Sequence, residues 1–299
     1  MAGILSAKSD YPWQIPDTAS IPHTAEGDLI RYGKDLIANT AMHLGPKGLV
    51  ANITNGMNCQ NCHINAGLKP FGNCFSAVAS TYPKYRPRSG RVESIEFRIN
   101  ECLERSLNGA KIDSLSKEMR AMVAYMNWVG EGVPKNVKPI GAGLDEIKYL
   151  DRAADTAQGR LVYFSKCQSC HGPEGKGLMY PDSAGFVYPP LWGDKSYNVS
   201  AGLFRLSRFA SYIHDNMPFG ASHNAQQLSI EESWDVAAFV NSQPRPDKRF
   251  SYDWPDIKTK PEDYPFGPYA DGFTEVQHKY GPFGPIKKAK EDLKKNKAM

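Results

Sequence analysis

Apolar residues recur at helical spacing in four stretches of the chain, separated by long irregular stretches. The first is GDLIRYGKDLIANTAMHLG at 27–45, and a shorter stretch of the same kind, AADTAQGRLVYFSK, lies at 153–166. SLSKEMRAMVAYMNWV at 114–129 and LSIEESWDVAAFVNSQ at 228–243 are the other two. Within these later helices AYMN at 124–127 and AFVN at 238–241 correspond, with an aromatic at Tyr125 and at Phe239. The order helix, irregular stretch, helix therefore occurs twice, and no βαβ pattern interrupts it. The fold class predicted is mainly α, in two similar units.

Between the units, GEGVPKNVKPIGAGLDEI at 130–147 is rich in Gly and Pro and reads as a linker. Residues 243–273 are too proline-rich for regular helices or strands. They predict an extended C-terminal strap whose aromatics bury against the second unit. The charge run KKAKEDLKKNKAM at 287–299 reads as a solvated helix or frayed end, with docking to an acidic protein partner as the functional alternative. The expected division is an N-terminal extension at 1–25, a first domain at 26–135, a linker at 136–145, a second domain at 146–245 and a tail at 246–299.

A length of 299 residues suits two domains of roughly 150. With 41% hydrophobic and 23% charged residues the chain has ordinary globular composition. No apolar run reaches the roughly 18 residues of a membrane helix. A net charge of +4 is too mild to imply nucleic acid, though it suits a small anion or an acidic partner.

The six cysteines change the picture most. Four of them form two pairs, each followed at once by histidine: Cys59, Cys62 and His63 in CQNCH, and Cys167, Cys170 and His171 in CQSCH. This spacing is that of covalent c-type haem attachment, in which two thiols add across the vinyl groups and the histidine ligates iron. A zinc site built from both pairs leaves the two histidines unexplained. Helix, CxxCH, irregular loop with a distal ligand, then a second helix is the pattern of a small cytochrome c domain, here present twice. Such haem is joined outside the bacterial cytoplasm, so a periplasmic location follows. The start, MAGILSAKSDYPWQ, lacks an apolar signal core and reads as a chain whose signal peptide has been removed.

Each iron has a sixth position. For the second haem the candidate is Met217 in HDNMPFG, 46 residues after His171, with Met179 as competitor. The first haem has no equivalent loop, and Met119, Met122 and Met126 have the spacing of core residues. Cys102, 39 residues after His63, lies instead among Arg88, Arg91, Arg98 and Arg105, a setting that lowers a thiol pKa and attracts anions. The competing reading makes Cys102 a buried structural thiol with the arginines facing solvent.

NCQNCHINAGLKP at 58–70 and TYPKYRPRSGRVESIEFRINECLERSLNG at 81–109 closely resemble the dihaem thiosulfate dehydrogenases, also described as tetrathionate reductases. The resemblance runs from WQIP near residue 13 through NMPFG. It implies a His63/Cys102 axial pair at a first, catalytic haem, with Arg88, Arg98 and Ser106 lining the site. In part of that family a lysine neighbours or replaces the second haem's methionine, whereas this chain has Asn216 before Met217, so His171/Met217 is the pair implied at the second, electron-exporting haem. The implied reaction joins two thiosulfates into tetrathionate and passes two electrons to a c-type cytochrome or similar acceptor. Cys74 receives no role. Two other classes remain: a non-enzymatic dihaem carrier with His/Met at both haems, and a sulfur-carrier haem subunit of the Sox type.

Overall fold

In the computed structural model, which describes residues 10–182 and 184–298, the two units each form around one crossing of helices. The opening residues 1–9, with most of the segment read for a signal, and Met299 lie outside the described part. In the first unit α1 (Ala25–Ala38) is capped by Thr24, and Asn39 separates it from a short α2 (Thr40–Leu44). The first haem motif follows as a single tight turn, Cys59–Asn61, and α3 (Val78–Thr81) leads into a small hairpin of β1 (Lys84–Arg86) and β2 (Arg91–Glu93). Then come α4 (Ile95–Arg105) and α5 (Lys117–Val129), capped by Ser94 and Ser116.

The second unit repeats the plan. It contains α6 (Thr156–Lys166), α7 (Gln168–His171), the pair β3 (Leu178–Met179) and β4 (Phe186–Tyr188), α8 (Leu206–Asn216) and α9 (Ile230–Ser242). Beyond it, α10 (Glu275–Tyr280) and α11 (Phe283–Ala298) close the chain, and Phe283 and Ile286 enter the second core. In the terminal charge run Lys287, Lys288, Glu291, Asp292 and Leu293 are exposed, while the Lys290 amine donates to the Lys260 carbonyl.

Helix α1 crosses α5, and α6 crosses α9, each at a glycine. A Cβ on Gly33 would sit 1.9 Å from the Ala121 carbonyl oxygen, and one on Gly159 would sit 1.8 Å from that of Asp235. Only a hydrogen at each position lets the backbones approach this closely. Around the crossings lie two cores, one holding Leu36, Ile37, Leu103, Met119, Met122 and Tyr125, the other Tyr163, Phe209, Trp234 and Phe239.

Two expectations need correction. The stretches after each haem motif are not wholly irregular, because each contains a helix, α4 and α8. In α4 the apolar stripe is only Ile95, Ile99 and Leu103, and the charged residues between them hide the period. The strap, too, does not lie on the second unit alone. Phe266 stacks on Phe204 there, but Phe250 and Tyr252 meet Arg105 and Arg91 of the first unit, and Trp254 N–H donates to the Arg88 carbonyl at 2.6 Å. A proline-rich segment carries no period to show which surface it follows.

The units are joined directly. Tyr212 donates to the Asn61 carbonyl at 2.8 Å, Asn216 to that of Phe71 at 3.0 Å, and Cys62 and Ile64 pack against the second core. The first haem motif is therefore pressed against α8, the helix that ends at Met217. Among the described residues no helix is long and apolar enough to cross a membrane.

Candidate active site

His63 and His171 are fixed in the same way. Nδ1 of His63 donates to the Asn73 carbonyl at 2.7 Å, and Nδ1 of His171 to that of Pro189 at 2.8 Å. A carbonyl can only accept, so each ring carries its proton on Nδ1 and turns an unprotonated Nε2 outward, the tautomer a ligand to iron requires. Burial keeps both rings neutral: it pushes His63 down to about 4, with the Asn73 carbonyl opposing and Arg98 adding to the shift, and lowers His171 in the same sense.

The four motif cysteines form no disulfide with one another, and each is partly shielded. Burial pushes Cys59 and Cys62 up to about 12 and Cys167 to about 11, as expected of sulfurs facing apolar space. Tyrosines fix the loops that leave the histidines: Tyr125 donates to Ala66 O at 3.0 Å and Tyr163 to Gly172 O at 2.6 Å. These donor sets fit c-type haem at both positions.

Cys102 lies on the last turns of α4, half-buried, and Ser106 follows one turn later with its N–H on the Cys102 carbonyl at 2.9 Å. The Cys102 sulfur is close enough to Cys59, Cys62, Tyr82 and Arg98 to couple with each electrostatically. Cys102 is the largest influence on Arg98, raising that guanidinium well above its ordinary range, with burial opposing. Cys102, Arg98, Tyr82 and the first motif thus converge. Tyr82 was missed by sequence reasoning, although it stands in the TYPKYRP stretch. Nothing in its spacing distinguishes it from a core aromatic.

Arg88 reaches this group less directly. Its Nε donates to Asp253 Oδ2 at 3.0 Å and its Nη2 to the Ser200 carbonyl at 2.7 Å. The same carboxylate takes Nη1 and Nη2 of Arg105, both at 2.8 Å. Buried Glu101 lies between Arg105, at 3.1 Å, and Arg98, at 3.0 Å. Burial alone would raise the Glu101 carboxyl, but Arg98, Arg105 and Arg88 outweigh it and hold it ionised below the usual range. A chain of alternating charges therefore runs from the strap to Cys102. Asp253, which organises it, had no signal in the sequence, lying 148 positions from Arg105.

At the second motif, Met217 directly follows α8 and packs on the same core as Cys167 and Trp192. Its competitor Met179 packs on the first core instead, and the Lys195 amine lies 3.4 Å from its sulfur. Met119, Met122 and Met126 are buried in the first core. Cys74 is buried, and its backbone exchanges hydrogen bonds with Gly143 between the units.

Two helical domains, each presenting a CxxCH with an outward-facing imidazole nitrogen, define a dihaem c-type cytochrome. The family profile "SoxA/TsdA, cytochrome c domain" matches residues 50–134, and "Cytochrome C oxidase, cbb3-type, subunit III" matches 154–240. Thiosulfate dehydrogenase of Psychrobacter arcticus is 38% identical over 244 residues, covering 81% of this chain and 71% of that protein. That of Allochromatium vinosum is 36% identical over 236 residues, covering 78% and 84%. The chain belongs to the thiosulfate dehydrogenase family. In the solved structure of thiosulfate dehydrogenase (TsdBA) from Marichromatium purpuratum, "as isolated" form, 80% of this chain superposes with a TM-score of 0.73 at 29% identity. This chain spans 51% of that one.

Proposed function

We propose that the protein is a periplasmic dihaem oxidoreductase that joins two thiosulfates into tetrathionate, releasing two electrons, and that also runs the reverse reduction. The observation that carries this reading is the convergence of Arg98, Cys102 and His63. Residues 26–135 would hold the catalytic haem through Cys59, Cys62, His63 and Cys102. Residues 146–245 would hold the electron-transfer haem through Cys167, Cys170, His171 and Met217. Bound there, the two haems supply one-electron redox chemistry, one electron each.

The chain's own residues do the rest. Two dianions must meet, and a guanidinium is suited to this because it stays cationic and can hold sulfonate oxygens with paired hydrogen bonds. Arg98 takes that role beside Cys102, Arg88 adds positive charge from the position Asp253 gives it, and the Ser106 hydroxyl orients a sulfonate oxygen. The Cys102 thiolate and the terminal sulfur of one thiosulfate form an S–S bond with loss of two electrons. The terminal sulfur of the second thiosulfate then attacks the sulfur left on Cys102. That Cys–S bond breaks, Cys102 leaves as thiolate, and tetrathionate departs.

A c-type cytochrome or similar acceptor would take the electrons. The periplasm follows from where such haem is attached. A pure carrier needs methionine at the first haem, and the buried positions of Met119, Met122 and Met126 lend that no support. The test is an anaerobic assay with thiosulfate and ferricyanide, then tetrathionate and reduced viologen. Cys102→Gly and Cys102→Met should retain both haems and lose turnover in both directions. Near-normal tetrathionate formation by either variant overturns the assignment.

A further inference from the structure

Outside the haem sites, Asp145, Asp215 and His223 converge, with one ligand atom of each within 4.8 Å of the others. They come from three places: the segment joining the domains, the last turn of α8, and the loop after Met217. Asp215 is 1% exposed. Its Oδ1 receives a hydrogen bond from His214 Nδ1 at 3.2 Å, but its Oδ2 is sealed from solvent without a hydrogen-bond partner among the described residues. Nδ1 of His223 is likewise sealed and without a hydrogen bond, although it faces Asp215 Oδ1 at 3.4 Å and Asp145 Oδ2 at 3.9 Å. A buried carboxylate oxygen and a buried ring nitrogen left unsatisfied side by side are costly unless something fills the space between them.

We infer that Asp145, Asp215 and His223 form a binding site for a divalent d-block cation of the zinc(II) type. Two ligands about 2.05 Å from a tetrahedral ion stand about 3.3 Å apart, close to the His223–Asp215 separation and longer than a good N–H···O bond. One imidazole and two carboxylates suit zinc, with water as fourth ligand. Calcium requires roughly six to eight oxygens. Asp145 and His223 are 27% and 33% exposed, so an ion can enter and Asp145 can close the remaining gap. The Phe71 ring stacks on His223 at 3.7 Å and fixes the imidazole plane. The Lys69 ammonium also faces Asp215, donating to the Ala221 carbonyl at 2.9 Å, and two carboxylates still leave the cluster net negative beside it.

Asp215 and His223 bracket the segment that holds Met217, so a bound ion ties that segment to the linker through Asp145. The site stands independently of the thiosulfate reaction. The test uses the full chain with both haems attached, stripped with EDTA, incubated with zinc chloride, gel-filtered and measured for zinc and iron by mass spectrometry. One zinc per two irons is expected. Asp145→Asn and His223→Ala, both at partly exposed positions, should each weaken zinc binding about tenfold or more by calorimetry while the haem absorption spectrum is unchanged. If the wild type retains no zinc, or the double variant retains as much as the wild type, the site does not exist.

Discussion

The Arg98 guanidinium is shared between the Glu101 carboxylate, 3.0 Å away, and the Cys102 sulfur. Glu101 fixes its position, and Arg105 on the other side of Glu101 prevents that carboxylate from cancelling it. Glu93 adds a second buried carboxylate near Arg98, so what the proposed reaction would use is the position of the Arg98 fork beside Cys102 rather than a net charge. Arg98→Lys keeps the charge and loses the planar fork, so kcat/KM for thiosulfate should fall roughly tenfold; Arg98→Ala should cost about a hundredfold or more. Equal loss in the two variants, measured by steady-state assay, would mean that the fork is not used. The CxxCH motifs could be read from sequence because their chemistry depends on local spacing. The position of Tyr82 could not, because it lies 20 residues from Cys102 and only the fold brings the two within electrostatic reach.

At the scale of elements, the two helix crossings set the domain geometry, and each allows no side chain at its closest point. Gly33→Ala and Gly159→Ala should each destabilise by about 1–3 kcal/mol in chemical denaturation, since the added methyl meets a backbone carbonyl. Helix α8 shows a different dependence. It has no cap of its own; Asp263, 56 positions later, accepts from Ser207 N at 3.0 Å and from Arg205 Nε at 2.8 Å. Burial works to raise the Asp263 carboxyl, but Arg205 and Ser207 outweigh it and the net shift is downward. A folded-state pKa below the unfolded value of about 3.9 means that this stabilisation is complete above pH 4 and is lost as pH falls through the lower folded value. Asp263→Asn should therefore cost roughly 3 kcal/mol at neutral pH, with the gap to wild type narrowing below about pH 4 in thermal melts. Four of the helices were legible from their apolar period. Helix α4 and helix α8 were not, the first because charge dilutes its stripe, the second because its cap comes from elsewhere.

Across the whole molecule, acidic groups of the strap reach both domains: Asp253 pairs with Arg88 and Arg105 in the first, while in the second Asp263 pairs with Arg205 and Glu262 accepts from the Tyr149 hydroxyl. Asp253→Asn leaves two largely buried guanidinium groups short of countercharge, and a loss of about 3–5 kcal/mol is expected by denaturant unfolding. Thiosulfate turnover should fall with it, both haems staying attached. None of this was visible in a proline-rich stretch without periodicity, because the partners are brought together only by the finished fold. These attachments lie outside the CxxCH segments, so the strap can be severed without touching the residues that would hold haem. A protease cut between Asp253 and Asp263 would leave a fully red cytochrome in which the strap no longer bridges the two domains, a defect that colour alone would not reveal.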